Sequence, residues 1–211
     1  MHRSFLVSCL ARRFVRWLAV LLCLPLAGVA MAQDTPAPTG PVQVRFETTK
    51  GAFTVELDAA RAPLSVANFV QYVRDGHYDG TTFHRVIGNF VVQGGGYLPD
   101  GIEKPTRAPV VNESGNGLSN RRGTFAMART EDPHSATSQF YVNLVDNLAL
   151  DPGPTRWGYA VIGRVVEGME VVERIASVPT GARAPFNEDV PLEPIVIETA
   201  QVVTRSAVAA Q

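Results

Sequence analysis

The chain has 211 residues, of which 45% are hydrophobic and 18% are charged, a composition that excludes an intrinsically disordered protein. The first 32 residues hold four of the 19 basic residues and no acidic residue, so the remaining chain has 15 basic residues against 20 acidic ones and a net charge of −5. This balance argues against nucleic acid or an anionic membrane surface as the main partner.

Residues 1–32 have the three parts of a secretory signal peptide. Arginines come first, Trp17 to Val29 form an uncharged and mostly apolar run, and Ala30-Met31-Ala32 places small residues where a signal peptidase reads them. We therefore expect cleavage after Ala32 and a periplasmic protein, with full secretion left open. A retained membrane anchor is the alternative, but the apolar run is shorter than the roughly 20 residues that a spanning helix needs. The pair Arg12-Arg13 leaves both general and twin-arginine export open.

Both cysteines, Cys9 and Cys23, lie in this amino-terminal segment. The cleaved chain therefore has no thiol nucleophile, no disulfide and no cysteine metal ligand. His77 and His134 have no second ligand at metal-binding spacing, so we expect both side chains to be solvated. The sequence thus predicts neither a metal nor a cofactor.

The composition of the chain also marks the limits of one domain. Residues 33–41 are polar and rich in proline, which favours a flexible tether. Residues 204–211 are mostly small or polar, and we expect this tail to fray. The sequence between the tether and the tail contains no internal repeat. We therefore predict a single domain over residues 42–203.

Two segments of this domain have the apolar period of an amphipathic helix. In residues 63–74 the apolar positions fall three and four apart, with Pro63 suited to the first turn and Gly76 to the stop. The same spacing occurs in residues 167–178, and Pro179 ends it. The remaining segments have the alternation or the short apolar runs of strands, which favours an antiparallel barrel. The predicted strands are 42–46, 53–57, 81–86, 90–93, 123–128, 140–144, 159–165 and 195–203.

The most specific signal is an ordered set of motifs in the middle of the domain. FHRVIGNFVVQGG begins at Phe83, GTFAMAR at Gly123 and SQFY at Ser138, and Leu150-Asp151 and YAVIGR from Tyr159 complete the set. In this order and spacing, the motifs resemble those of the cyclophilin family, most of all its periplasmic bacterial branch. The resemblance covers the whole predicted domain. It implies a mainly β fold, a closed eight-stranded antiparallel β-barrel capped by two α-helices.

The same resemblance implies an activity and a site. Cyclophilins are peptidyl-prolyl cis–trans isomerases, and the family's catalytic arginine falls on Arg85. Gln93 is implied to orient Arg85 or the substrate carbonyl, and Ala128 and Arg129 to form the strand edge along which the peptide lies. The implied substrate-binding residues are Phe90, Val91, Gln93, Ala128, Arg129, Gln139, Tyr141, Leu150 and Tyr159. The implied partners are proline-containing segments of exported proteins, and we expect a monomer with no nucleic acid bound and no membrane contact after cleavage.

The chemistry of X-Pro rotation agrees with this assignment. The amide C–N bond is partly double, and its rotation has a barrier near ~20 kcal/mol. An enzyme needs only to favour the twisted state, in which the prolyl nitrogen regains a lone pair. A permanent cation with several directional donors can meet that lone pair, and an apolar pocket can hold the proline ring away from water. Arg85 is the predicted cation, and no nucleophile is required.

At four positions the sequence departs from residues that are common in the family. Val91 stands where many members have Met, Tyr141 where they have Phe, and Ala149 where they have Trp. Tyr159 takes a position that is His in the eukaryotic cytosolic type. Val91 and Tyr141 keep the pocket apolar, whereas Ala149 and Tyr159 change one rim, so we expect altered substrate and inhibitor preference. The family gives His84 no role in proton transfer, and we expect it to be structural.

Two other functional hypotheses stay open at this stage. The chain could be a cyclophilin-like module that binds proline-containing segments, or acts as a chaperone, with little turnover. A pure binder would not need Arg85, which favours the isomerase. An exported barrel that carries a small ligand is a third hypothesis, and it would need a hollow interior.

Overall fold

The computed structural model describes residues 42–203, which form a mainly β domain with two α-helices. The predicted signal peptide (1–32), tether (33–41) and tail (204–211) lie outside the described residues. The elements are β1 (Val42–Thr48), β2 (Gly51–Leu57), α1 (Pro63–Arg74), β3 (Arg85–Ile87), β4 (Val91–Gly94), β5 (Thr124–Met127), β6 (Phe140–Asn143), a 3-10 helix (Leu148–Leu150), β7 (Val161–Glu167), α2 (Met169–Ala176), β8 (Thr180–Arg183), β9 (Phe186–Pro191) and β10 (Ile197–Val203).

Eight of the strands form one antiparallel sheet, in the order β10-β1-β2-β7-β5-β6-β4-β3. The edge strands β10 and β3 do not pair as a ladder, and the segments leading into them meet at an isolated bridge between Thr82 and Val196. The prediction of a closed barrel is therefore wrong, since the sheet is an open, curled half-barrel. The sheet stays open because β3 has only three residues and β9, rather than β10, packs beside it.

The main hydrophobic core fills the inside of the curled sheet. Phe46 on β1 and Phe53 on β2 are both buried, and their rings stack with centroids 4.8 Å apart. Phe69 from α1 and Phe125 from β5 also pack against this pair, with the rings of Phe69 and Phe125 edge to face at 5.1 Å. Aromatic and branched side chains thus occupy the interior, which argues against the hypothesis of a hollow ligand carrier.

Helix α1 packs its buried face against the main core and matches its predicted range. Its first turn is capped by a residue that is far away in the sequence. The N–H groups of Leu64 and Ser65 donate to the Glu113 carboxylate at 3.1 and 2.7 Å. A carboxylate at this position also complements the helix dipole. The helix ends before Gly76, which has a φ of +65°. That left-handed conformation suits glycine.

Helix α2 is shorter than predicted, since it covers Met169–Ala176 rather than residues 167–178. Gly168 precedes it with a φ of +76°, and a Cβ at that position would lie 2.4 Å from the Ala52 carbonyl oxygen. Only glycine allows the close approach of β2 and the start of the helix. Within residues 42–203, no helix is long and apolar enough to cross a membrane.

The hairpin formed by β8 and β9 was not predicted from the sequence. It packs through Phe186 against His84 and Tyr97, with ring centroids 5.3 and 4.8 Å away. Gly101 lies against the turn of the hairpin, and a Cβ there would be 2.7 Å from the Ala184 carbonyl oxygen. The hairpin therefore supports the loop that follows β4.

Candidate active site

Strand alternation places a second, smaller apolar cluster on the outer face of the sheet. On β4, Val92 packs into the main core whereas Val91 belongs to the outer cluster. On β6, Phe140 and Val142 point inward and Tyr141 lies between them on the outer side. Successive side chains of a strand point to opposite faces, so the same short strands build both the core and a surface pocket.

The outer cluster forms the floor of a cavity of about 190 Å³. Nine of the ten residues predicted for the site surround this cavity, and the tenth, Gln139, contacts one of the nine. The lining residues are Arg85, Phe90, Val91, Gln93, Ala128, Arg129, Tyr141, Leu150 and Tyr159. The structure thus brings the predicted residues together, while their individual roles stay predictions.

Arg85 supplies a cation at the wall of this cavity. It begins β3 and pairs in register with Gln93 on β4, whose Oε1 lies 3.5 Å from the arginine Nη1. The guanidinium carbon is 5.9 Å from the centroid of the Phe90 ring. Among residues 42–203, no carboxylate forms an ion pair with Arg85. Its charge is therefore held in place by neutral groups and is not neutralised.

A series of polar side-chain contacts leads from Gln93 away from the cavity. Gln93 donates from Nε2 to Oε1 of Gln139 at 3.1 Å, and Gln139 Nε2 lies 3.5 Å from Oε1 of Glu103. Sequence reasoning did not single out Glu103, because an exposed glutamate in a loop with Gly and Pro carries no signal of its own.

The second cation at the cavity, Arg129, interacts with an aromatic ring and with nearby backbone carbonyl groups. Its guanidinium carbon lies 4.3 Å from the centroid of the Tyr159 ring. The same group donates to the carbonyl oxygens of Trp157, Gly158 and Thr130 at 3.1, 3.2 and 2.8 Å. These bonds use several of its five N–H donors. Arg129 therefore braces the loop before Tyr159, whereas the one side-chain hydrogen bond that Arg85 donates within residues 42–203 goes to Gln93.

The floor of the cavity is apolar and rigid. Val91 and Tyr141 are buried, and Phe90 and Leu150 pack against them while half-buried. The Tyr141 hydroxyl donates to Oδ1 of Asn120 at 2.7 Å. Burial, followed by the neighbouring Tyr159 and Asp151, raises the pKa of Tyr141, so the phenol stays neutral. A small apolar ring could pack on this floor without meeting an unpaired polar group.

A partly buried polar network lies below Tyr141 and connects it to the loop that carries Leu150. Asp151 Oδ1 accepts from the backbone N–H of Asn120 at 2.7 Å and from its side-chain amide at 2.9 Å. The Ser119 hydroxyl donates to the other carboxylate oxygen. Burial opposes ionisation of Asp151, but these hydrogen bonds and the charge of Arg121 outweigh it and hold its pKa below the ordinary value. Sequence reasoning quoted Asp151 only as part of a motif and missed Asn120, 31 positions away.

None of the three histidines among residues 42–203 lines the cavity. His84 is buried beside Tyr97, with ring centroids 4.7 Å apart, and burial lowers its pKa to about 4. It is therefore neutral and structural in character at ordinary pH. The expectation of a solvated side chain is wrong for His77, which is only 9% exposed because Tyr72 and Tyr78 pack on it. His134 is exposed, as predicted.

This geometry suits non-covalent chemistry. The nine lining residues include no Ser, Thr, Cys, His, Asp or Glu, so the wall of the cavity offers no pair of nucleophile and base. Within residues 42–203, no cluster of His, Cys, Asp or Glu is suited to hold a metal ion. What the cavity offers is an apolar floor and a cation, Arg85, that forms no ion pair in the described part of the chain.

Comparisons with known proteins agree with one family. The model of the cyclophilin-type peptidyl-prolyl cis-trans isomerase/CLD family matches residues 43–202. Peptidyl-prolyl cis-trans isomerase cyp18 of Streptomyces antibioticus is 52% identical, over 76% of this chain and 98% of its own length. Peptidyl-prolyl cis-trans isomerase A of Dickeya dadantii is 49% identical, over 80% of this chain and 88% of its own length. A Cryptosporidium parvum cyclophilin-type isomerase, crystallised in the presence of the dipeptide Ala-Pro, superposes with a TM-score of 0.66 at 25% identity, covering 77% of this chain and 99% of that one.

Proposed function

This chain belongs to the cyclophilin-type peptidyl-prolyl cis–trans isomerase family, and we propose that it catalyses the family reaction at the Arg85 cavity, on X-Pro bonds of exported proteins. Isomerase activity itself follows from relatives of that name about 50% identical over most of the chain. The site and its residues, the clients and the compartment are the parts that we propose.

The observation that supports the site is the position of Arg85. Its guanidinium adjoins an apolar floor, contacts the neutral side chain of Gln93 at 3.5 Å, and is not paired with a carboxylate in the described part of the chain. A proline ring held on Val91, Tyr141 and Leu150 would bring the prolyl nitrogen towards this cation. The relative crystallised with Ala-Pro supports a proline-containing ligand in this family.

The mechanism that we propose is stabilisation of the twisted amide. As the C–N bond rotates, resonance is lost and the nitrogen regains a lone pair, which accepts a hydrogen bond from the Arg85 guanidinium. The apolar floor excludes water, so this hydrogen bond forms in a medium where charge interactions are strong. The bond is absent in the planar ground states. Its energy therefore lowers the barrier without tightening the binding of either isomer.

A peptide assay separates this proposal from the alternative of a binding module. The cleaved domain is mixed with an Ala-Pro peptide, and exchange between the cis and trans forms is measured by NMR, together with binding to the same peptide. We expect catalysed exchange at catalytic enzyme concentrations. Binding without any increase in the exchange rate would contradict turnover and would support the binding module.

The proposed compartment rests on residues 1–32 and on the absence of cysteine after them. Cleavage after Ala32 would release a domain without thiols, which suits the oxidising periplasm, where disulfides form. The intact mass of the protein recovered from the periplasmic fraction tests this. A mature chain beginning at Gln33 is expected. A species that retains residues 1–32 and stays with the membrane fraction would contradict it.

A further inference from the structure

A carboxylate without a cationic partner in the described part of the chain lies at the edge of the cavity. Glu103 is exposed, and its Oε1 is 3.5 Å from Nε2 of Gln139. Gln139 in turn accepts a hydrogen bond at 3.1 Å from Gln93, which lines the cavity. None of the six ion pairs among residues 42–203 includes Glu103. The negative charge of Glu103 is therefore separated from Gln93, at the cavity wall, by the side chain of Gln139 alone.

The loop that carries Glu103 is held by its own backbone. Tyr97 and Glu103 face each other in an isolated antiparallel bridge, and the Leu98 N–H donates to the Ile102 carbonyl at 2.9 Å. The Lys104 N–H closes the loop by donating to the Gly96 carbonyl at 2.9 Å. A charge on a fixed loop loses less conformational entropy when it pairs with a ligand than a charge on a mobile one.

The hairpin of β8 and β9 packs against this loop and supports it. The ring of Phe186 packs edge to face on Tyr97, and Gly101 fits against the Ala184 carbonyl only because it has no Cβ. The neighbouring cation Lys104 forms no ion pair with Glu103 among residues 42–203, and its Nζ donates to the Asp79 carbonyl at 3.2 Å instead. The carboxylate is thus held by its loop next to Gln139 and has no cationic partner among residues 42–203.

We propose that Glu103 makes this enzyme prefer proline segments that carry a lysine or arginine within two residues of the X-Pro bond. The proposal rests on the isomerase function of the Arg85 cavity. Gln93 lines that cavity, and Gln139 contacts both Gln93 and Glu103. A polypeptide whose proline occupies the cavity and whose chain extends over these two glutamines would place a neighbouring side chain next to Glu103. A basic side chain there pairs with the carboxylate and an acidic one is repelled. Exposed ion pairs of this kind change an equilibrium by about two- to fivefold.

The test uses one X-Pro peptide with Ala, Lys or Glu placed at each position within two residues of the proline. For every peptide, kcat/KM is measured with the wild type, Glu103→Gln, Glu103→Lys and the control Glu131→Gln. Glu131 is an exposed acid on the loop after β5, and its side chain makes no hydrogen bond to the groups around Gln139. The ratio of kcat/KM for Lys and Glu peptides is compared, because a ratio is independent of any general change in activity.

At low salt, we expect the ratio of kcat/KM for the Lys peptide over the Glu peptide to be at least about twofold at one of these positions, for both the wild type and Glu131→Gln. Glu103→Gln should remove this ratio and Glu103→Lys should invert it. A wild type that does not discriminate, or a ratio that survives in Glu103→Gln, would overturn the proposal. Absence of turnover with all peptides, including Ala, would instead contradict the isomerase function on which it rests.

Discussion

Arg85 on β3 lies directly opposite Gln93 on β4, and Nη1 of the arginine is 3.5 Å from Oε1 of the glutamine. An amide oxygen can orient a guanidinium without cancelling its charge, whereas a carboxylate would form an ion pair with it. The cross-strand pair therefore presents a directed cation to the cavity.

Gln93→Ala should lower kcat/KM about fivefold, because a hydrogen bond of this kind contributes about 1 kcal/mol. Gln93→Glu should lower it further, because the new carboxylate would hold Arg85 in an ion pair. Both are measured in the X-Pro peptide assay, with Gln71→Ala as control, since Gln71 on α1 contacts Asp75 and does not line the cavity. Equal activity of Gln93→Ala and the wild type would mean that Gln93 does not orient Arg85.

Tyr141→Phe should reduce stability and leave turnover nearly intact. The substitution removes the hydroxyl that donates to Asn120 at 2.7 Å but keeps the ring on the cavity floor. Asn120 Oδ1 still accepts from Asn143 at 3.1 Å, so we expect a loss of only about 1 kcal/mol, or about 2–4 °C in Tm. Thermal unfolding and the peptide assay check the two expectations. A loss of activity much larger than the loss of stability would show that the hydroxyl itself acts on the substrate.

Asp151 should make the stability of the domain depend on acid pH. Its pKa is lowered from an ordinary value of 3.8, so the unfolded chain takes up the proton more readily than the folded domain. The carboxylate therefore contributes stability that is complete above about pH 4 and is lost as the pH falls through its lowered pKa. We expect the difference in unfolding free energy between the wild type and Asp151→Asn to shrink over that range, as measured by denaturant titration. A difference that stays constant from pH 6 to pH 2 would contradict the lowered pKa.

Ala149 should make the enzyme weakly sensitive to cyclosporin-type macrocycles. These compounds inhibit many cyclophilins that carry a rim tryptophan at this position, and Ala149 is exposed on the 3-10 helix beside Leu150. An alanine lacks both the indole N–H and the broad apolar face, and burying apolar surface contributes ~25 cal/mol per Å². Ala149→Trp is expected to strengthen inhibition in a titration with the same peptide assay. Tight inhibition of the wild type, or no gain in the variant, would show that this rim does not control inhibitor binding.

Strand alternation, short apolar runs and helical spacing were enough to predict most of the elements of the fold. Each of the eight predicted strands overlaps one strand of the sheet, and helix α1 has its predicted bounds, but the predicted strand 81–86 shares only residues 85 and 86 with β3. Alternation could not show that the sheet stays open, because closure depends on whether β3 is long enough to pair with β10. It also missed the hairpin of residues 180–191, whose β8 strand, TGAR, is short, mostly exposed and without an apolar face.

The residues around the candidate cavity could be named in advance because they lie in or near the motifs that carry the family resemblance, such as the run from Phe83 to Gly95, and their roles stay predictions. The supporting contacts could not be predicted in the same way. Asn120 meets Tyr141 and Asp151 only after the chain has folded, and Glu103 reaches Gln139 from a loop without periodicity. Such contacts depend on tertiary geometry, which local sequence patterns do not contain.

The rate of X-Pro exchange in Arg85→Ala, compared with the wild type and Arg85→Lys, tests the central claim most directly. Losing one fixed charged donor is expected to cost on the order of 3 kcal/mol in the transition state, or about a hundredfold in rate. Arg85→Lys should recover only part of the rate, because lysine keeps the charge but not the planar fork of donors. Arg45→Ala serves as control, since Arg45 lies on β1 and pairs with Glu47. The account predicts this loss with an unchanged Tm; a correctly folded Arg85→Ala that isomerises the peptide at the wild-type rate would contradict it.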